Sequence, residues 1–109
     1  MSTISYETVR EIAFELPRAE DGMSYGAPAL KIGKKMFVRW REELDAVVLK
    51  TTFDEREDLM AADPEVYFIT DHYLNYEDVL VNLKTVSREG LTDMIRRSNA
   101  LVTEKKKMN

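Results

Sequence analysis

The connections in this chain leave little room for parallel strand pairing. Five runs of strand length occur at 29–32, 35–40, 46–51, 66–70 and 78–84, and most of the links between them are hairpin-short. Parallel neighbours need a crossover of about a dozen residues or more, usually helical. One link is that long. It holds Asp54-Glu55-Arg56-Glu57, an N-cap acceptor with Glu three residues later, then Leu59, Met60, Ala61 and Ala62 before Pro64 stops the segment.

A helix is expected on each flank. Ser5 is placed to accept from the free N–H groups of a first helix, with Val9, Ile12, Ala13 and Leu16 on one face and Pro17 ending it at Leu16. Ser87 caps a final helix in which Leu91, Met94, Ile95, Ser98, Leu101 and Val102 keep the helical period. Between Arg18 and Pro28, the residues Gly22, Gly26 and Pro28 indicate a loop. Gly33-Lys34 turns a hairpin whose register has two solutions. A two-residue turn sets Ile32 opposite Lys35 and Leu30 opposite Phe37. A three-residue loop sets Ile32 opposite Met36 and Leu30 opposite Val38, with Lys31, Phe37, Arg39 and Arg41 on the other face. The order is α-β-β-β-α-β-β-α, and the fold class is α+β: a two-layer sandwich with an antiparallel sheet of about five strands and helices on one face.

Composition narrows the function classes. A chain of 109 residues with 44% hydrophobic content supports one core, so a single domain over 1–109 is expected, with 103–109 a basic, mobile tail around Lys105, Lys106 and Lys107. The first seven residues do not resemble a signal peptide, and no apolar run is long enough for a membrane span, so a cytoplasmic protein without a membrane partner is expected. Without Cys there is no disulfide scaffold, thiolate metal site or thiol nucleophile, and the single His72 excludes multi-histidine metal sites.

Chemical motifs are sparse. His72 with Ser24, Ser87 or Ser98 and a carboxylate has the residue types of a hydrolytic triad, but nothing in the spacing supports one, and Met23-Ser24-Tyr25-Gly26 lacks the first glycine of a nucleophile elbow. The four glycines form no phosphate-binding loop. Asp54, Glu57 and Asp58 are better explained by capping and solvation than by a cation. No catalytic residues, metal or cofactor are expected.

Charge is unevenly distributed. Residues 28–50 carry Lys31, Lys34, Lys35, Arg39, Arg41 and Lys50 against Glu42, Glu43 and Asp45, whereas 54–65 carries six acidic residues against Arg56 alone. Phe37 and Trp40 interleave with the hairpin cations, the pattern of phosphate contacts combined with base stacking. The competing explanation is that these aromatics are core and the lysines protect strand edges. Lys31, Lys34, Lys35, Arg39 and Arg41 are the nucleic-acid contact candidates. A second cluster surrounds His72 with Tyr67, Phe68, Tyr73 and Tyr76. Tyr25, His72, Tyr73 and Tyr76 are the candidates for a ligand or partner pocket, since each tyrosine combines an apolar ring with a polar tip.

Particular words in this order resemble the MmcQ/YjbR family of small bacterial domains. They are Leu16-Pro17, the stretch from Tyr25 through Gly26, Pro28, Gly33 and Lys34 to Phe37, Glu55-Arg56-Glu57 with Leu59, the long stretch from Val66 through His72 and Tyr76 to Leu83, and Arg97-Ser98. The resemblance implies a compact α+β domain with an antiparallel sheet, of the kind seen in secretion chaperones and likened to the CyaY fold. It also implies the label such members carry, DNA binding through a double-wing use of the strands. Asn82 stands where similar members often carry Arg, which removes one cation. Three function classes follow: weak, salt-sensitive DNA binding through the basic hairpin; protein interaction, including homodimerisation; and small-ligand binding near His72.

Overall fold

The computed structural model describes residues 4–107. It contains α1 (Tyr6–Ala13), β1 (Glu20–Ser24), β2 (Ala27–Ile32), β3 (Lys35–Arg41), β4 (Ala46–Lys50), α2 (Phe53–Ala62), β5 (Tyr67–Phe68), β6 (Asp78–Asn82) and α3 (Arg88–Lys107). The sheet is antiparallel throughout, in the order β1-β2-β3-β4-β6-β5. The α+β sandwich holds, with six strands in place of about five.

The additional strand lies inside the stretch read as a loop. Ser24 pairs with Ala27, so Tyr25 and Gly26 alone make the turn, with φ of 51° and 80°. Two successive positive φ values define the turn that suits a tight hairpin, and glycine tolerates them at little cost. Tyrosine does not, which hid the hairpin from a sequence reading. Pro28, a poor strand residue, pairs with Met23 of the edge strand β1, one position before the β2–β3 ladder begins at Ala29.

Both registers of the Gly33-Lys34 hairpin are partly right. Ile32 pairs with Lys35 across a two-residue turn, yet Leu30 pairs with Val38, and a bulge separates the two. The bulge turns Phe37 into the core, where it is fully buried, which corrects the place beside Arg39 that the three-residue loop would have given it. Ser98 of α3 repairs the ladder there: its hydroxyl donates to the Phe37 carbonyl at 2.6 Å and accepts from the Lys50 N–H at 2.8 Å.

Helix limits shift for local reasons. α1 ends at Ala13 rather than Leu16, because Glu15 and Leu16 make the tighter bonds of a closing turn to Ile12 and Ala13. The cap of α2 is Thr52, whose hydroxyl accepts from the Glu55 N–H, rather than Asp54. Ser87 caps α3 through the Gly90 N–H. α3 continues through 103–107, where the sequence set a tail apart; 108 and 109 lie outside the described residues.

The main core lies between one sheet face and the helices α1 and α3, with Val9, Ile12, Leu30, Phe37, Val47, Leu49, Val79, Val81, Leu91 and Ile95 interdigitated. Alternation sends Ala46, Val48 and Leu80 to the opposite face, where they form a small cluster with Tyr73, flanked by Leu44, Phe68 and Ile69. That face is the open one.

Candidate functional site on the open sheet face

Arg39 and Arg41, two residues apart on β3, point to the same face by strand alternation. Both donate to the phenol oxygen of Tyr73, which belongs to the single turn Asp71–Tyr73 laid across the strands. Tyr73 is buried, at 4% exposure, so its ring covers the small apolar cluster while its oxygen fixes two guanidinium groups.

The two arginines differ in what else they hold. Arg41 makes a two-point pair with Glu43, at 2.9 and 2.6 Å, and those hydrogen bonds hold the Glu43 carboxyl below its usual range. Arg39 makes no ion pair among the described residues. Its guanidinium lies 5.5 Å from the centre of the Tyr25 ring, and its Nε is buried without a hydrogen-bond partner. Arg39 therefore keeps bonding capacity to spare on this face.

Aromatic rings complete the groove. Tyr25 is 93% exposed, displayed at the tip of the β1–β2 turn in a backbone conformation that tyrosine seldom adopts. Across the groove, the His72 ring meets Tyr73 edge-on and lies 6.2 Å from Tyr76, which is more than half exposed. Tyr25, Arg39, His72, Tyr73 and Tyr76 together line a cavity of about 430 Å³ floored by Met36 and Val48, with the Lys50–Asp78 ion pair at its side.

The residue that shapes this wall went unnoticed in the sequence. Arg56, on α2, is buried, and its two terminal nitrogens donate to the carbonyls of Tyr73, Leu74, Tyr76 and Asp78 at 2.7 to 3.1 Å. No carboxylate pairs with it among the described residues. Three of those carbonyls lie in the 73–76 connection, which forms no strand ladder, so one side chain supplies partners there beside the turn's own bond from the Tyr76 N–H to the Tyr73 carbonyl. The signal was present as a single cation in an acidic stretch, which invites a solvated reading.

Tertiary structure therefore merges part of two lists. Arg39 and Arg41 join Tyr25, His72, Tyr73 and Tyr76. Lys31 lies on the same face, its stem across Gly22. Lys34 stays exposed at the hairpin turn and Lys35 borders a separate cavity at the sheet end. Trp40 and Phe37 face the helices, Trp40 stacking on Tyr6 at 5.4 Å, in agreement with the reading that takes these two aromatics as core, and the rings beside the cations are Tyr25, His72 and Tyr76. Ser98 is committed to the bulge, and although Ser24 and His72 border one cavity, no hydrogen bond joins them among the described residues. Asn82 spans the sheet rim, donating to the Glu65 carbonyl and accepting from the Lys84 N–H. Among the described residues no three His, Asp or Glu side chains gather as metal ligands, and no helix is long and apolar enough to cross a membrane.

The YjbR family model matches residues 14–101. The Deinococcus radiodurans protein DR2400, whose crystal structure is described as a DUF419 domain, superposes with a TM-score of 0.79 at 24% identity, over 94% of this chain and 80% of that one. It shares the fold. No curated protein matches.

Proposed function

This chain belongs to the YjbR family, and from that premise we propose that it is a weak, salt-sensitive binder of single-stranded DNA that uses the open sheet face. The observation that carries the reading is the set of exposed rings, Tyr25, His72 and Tyr76, around Arg39, whose guanidinium keeps unused donors. Unpaired bases stack on such rings at roughly 1–3 kcal/mol each, whatever their sequence, while an arginine holds the phosphate between them. The duplex reading is less well supported, because the hairpin-tip lysines are few and the net charge is −4. Binding rather than catalysis is favoured by the engagement of Ser98 within the core.

Fluorescence anisotropy of a labelled single-stranded oligonucleotide tests this. Micromolar affinity that falls steeply with salt is expected, with duplex of the same length bound more weakly. Absence of binding at low salt and high micromolar protein overturns the reading, and equal affinity for duplex replaces it with contacts to the phosphate backbone alone.

The protein-interaction reading keeps one observation. Among the described residues the outer edge of β1 has no strand partner, and the exposed Met23 lies on that strand. Sedimentation at several concentrations decides it, since a monomer throughout removes the homodimer.

A further inference from the structure

A second cavity, of about 560 Å³, opens at the end of the sheet beyond Tyr76. It shares Met36, Lys50, Tyr76 and Asp78 with the groove described above, so the two are continuous. Its further walls are Lys35 from the hairpin, Thr51 and Phe53 at the junction of β4 with α2, Asn75 and Glu77 from the connection before β6, and Leu101 and Val102 from α3. The volume lies within the range of small-molecule sites.

Two features of these walls are unexplained by folding. Thr51 is 3% exposed, and its hydroxyl has no hydrogen-bond partner. Buried polar groups are nearly always paired, and valine would fill the same space without a desolvated hydroxyl. Lys35 makes no ion pair among the described residues, whereas the neighbouring Lys50 is neutralised by Asp78 at 3.0 Å. Beside these polar groups stand two exposed rings, Phe53 at 43% and Tyr76 at 58%. The cavity thus offers a cation, an unsatisfied hydroxyl and aromatic faces within one small volume.

We propose that this sheet-end cavity is a nucleotide subsite: the base lies against Phe53 and Tyr76, Thr51 Oγ1 hydrogen-bonds to it, and Lys35 takes the phosphate. The class of ligand rests on the strand-binding reading, while the position rests on the cavity itself. The shared chemistry, an aromatic ring joined to a phosphate, has two sources: a free nucleoside monophosphate, or the next unit of a strand running past Tyr76 from the groove.

The test is an amide chemical-shift titration of the full chain with AMP and, separately, with a short oligothymidylate. AMP is expected to shift Thr51, Phe53 and Leu101. Thr51→Val should weaken AMP about fivefold, the effect of one lost hydrogen bond, with an unchanged or higher melting temperature. Lys35→Glu should abolish AMP binding, and Arg39→Glu should leave it intact. Competition between the oligonucleotide and AMP at Thr51 supports the subsite as part of the strand path, and simultaneous binding supports it as a site for the free nucleotide. AMP shifts confined to Tyr25, Arg39 and His72, or Thr51→Val binding AMP as well as the original chain, overturn the subsite and leave the strand reading standing. AMP shifts at Thr51 without any oligonucleotide binding overturn the strand reading alone.

Discussion

The guanidinium of Arg41 donates to the phenol oxygen of Tyr73, 32 residues later in the chain, and that same oxygen accepts from Arg39. One neutral acceptor thereby holds two cations side by side on β3 without neutralising either. Glu43 then pairs directly with Arg41 and reaches Arg39 only at longer range. Arg39 keeps its charge available for an anion, and its position is set in advance by Tyr73 and by the Tyr25 ring.

That asymmetry predicts a ranked mutational series. Arg39→Gln should weaken single-stranded DNA by about 1–2 kcal/mol and lower the salt slope by roughly one, whereas Lys34→Gln, at the exposed turn, should change affinity less than twofold. Anisotropy titrations at several salt concentrations measure both. Equal effects at the two positions would place the contact at the hairpin tip instead of the open face.

Arg56 predicts a coupling between stability and the groove. Arg56→Met removes the donors to four carbonyls and should cost about 3 kcal/mol in urea unfolding. Amides of 71–77 should exchange faster than those of β4, because the segment loses its side-chain partners while the sheet ladder stays intact. Uniform protection across both regions would remove the positioning role.

Ser98 makes a prediction about the bulge. Ser98→Ala leaves the Phe37 carbonyl and the Lys50 N–H without their bridge inside the core, and the expected loss is about 2 kcal/mol. Thermal or chemical unfolding checks it. A neutral substitution would mean that the ladder closes by itself when the hydroxyl is removed.

Tyr6 makes a prediction about alkaline pH. Burial against Trp40, reinforced by the nearby Asp21 carboxylate, pushes its hydroxyl up to about 12 from an ordinary value of 10. The folded state thus binds the phenolic proton more tightly than the unfolded chain does. Stability from this group is complete below pH 10 and is lost as the pH rises from there through about 12. Absorbance at 295 nm should show a phenol ionising near pH 12, a step that Tyr6→Phe removes; burial raises the Tyr67 hydroxyl as well. The same titration curve with and without Tyr6→Phe above pH 11 would contradict the packing at Trp40.

The apolar runs and their short connections determined the antiparallel sheet, the three helices and most of the core, because alternation and helical period are properties of neighbouring residues. The words around Tyr25, Glu55-Arg56-Glu57 and His72 were enough to indicate the family. Local pattern did not expose the β1–β2 hairpin, whose Tyr25 occupies a turn position that favours glycine or asparagine, nor the bulge that moves Phe37 to the opposite face from a simple alternation. It also placed Arg39 and Arg41 on one list and Tyr25, His72, Tyr73 and Tyr76 on another. Only the folded sheet brings β1, β3 and the Asp71–Tyr73 turn to one surface, with Arg56 arriving from α2 to hold that turn. The reason is physical: alternation fixes which face a side chain takes within its own strand, whereas the neighbours on that face come from long-range pairing and from hydrogen bonds such as those of Tyr73 and Arg56, which leave no periodic trace in the sequence.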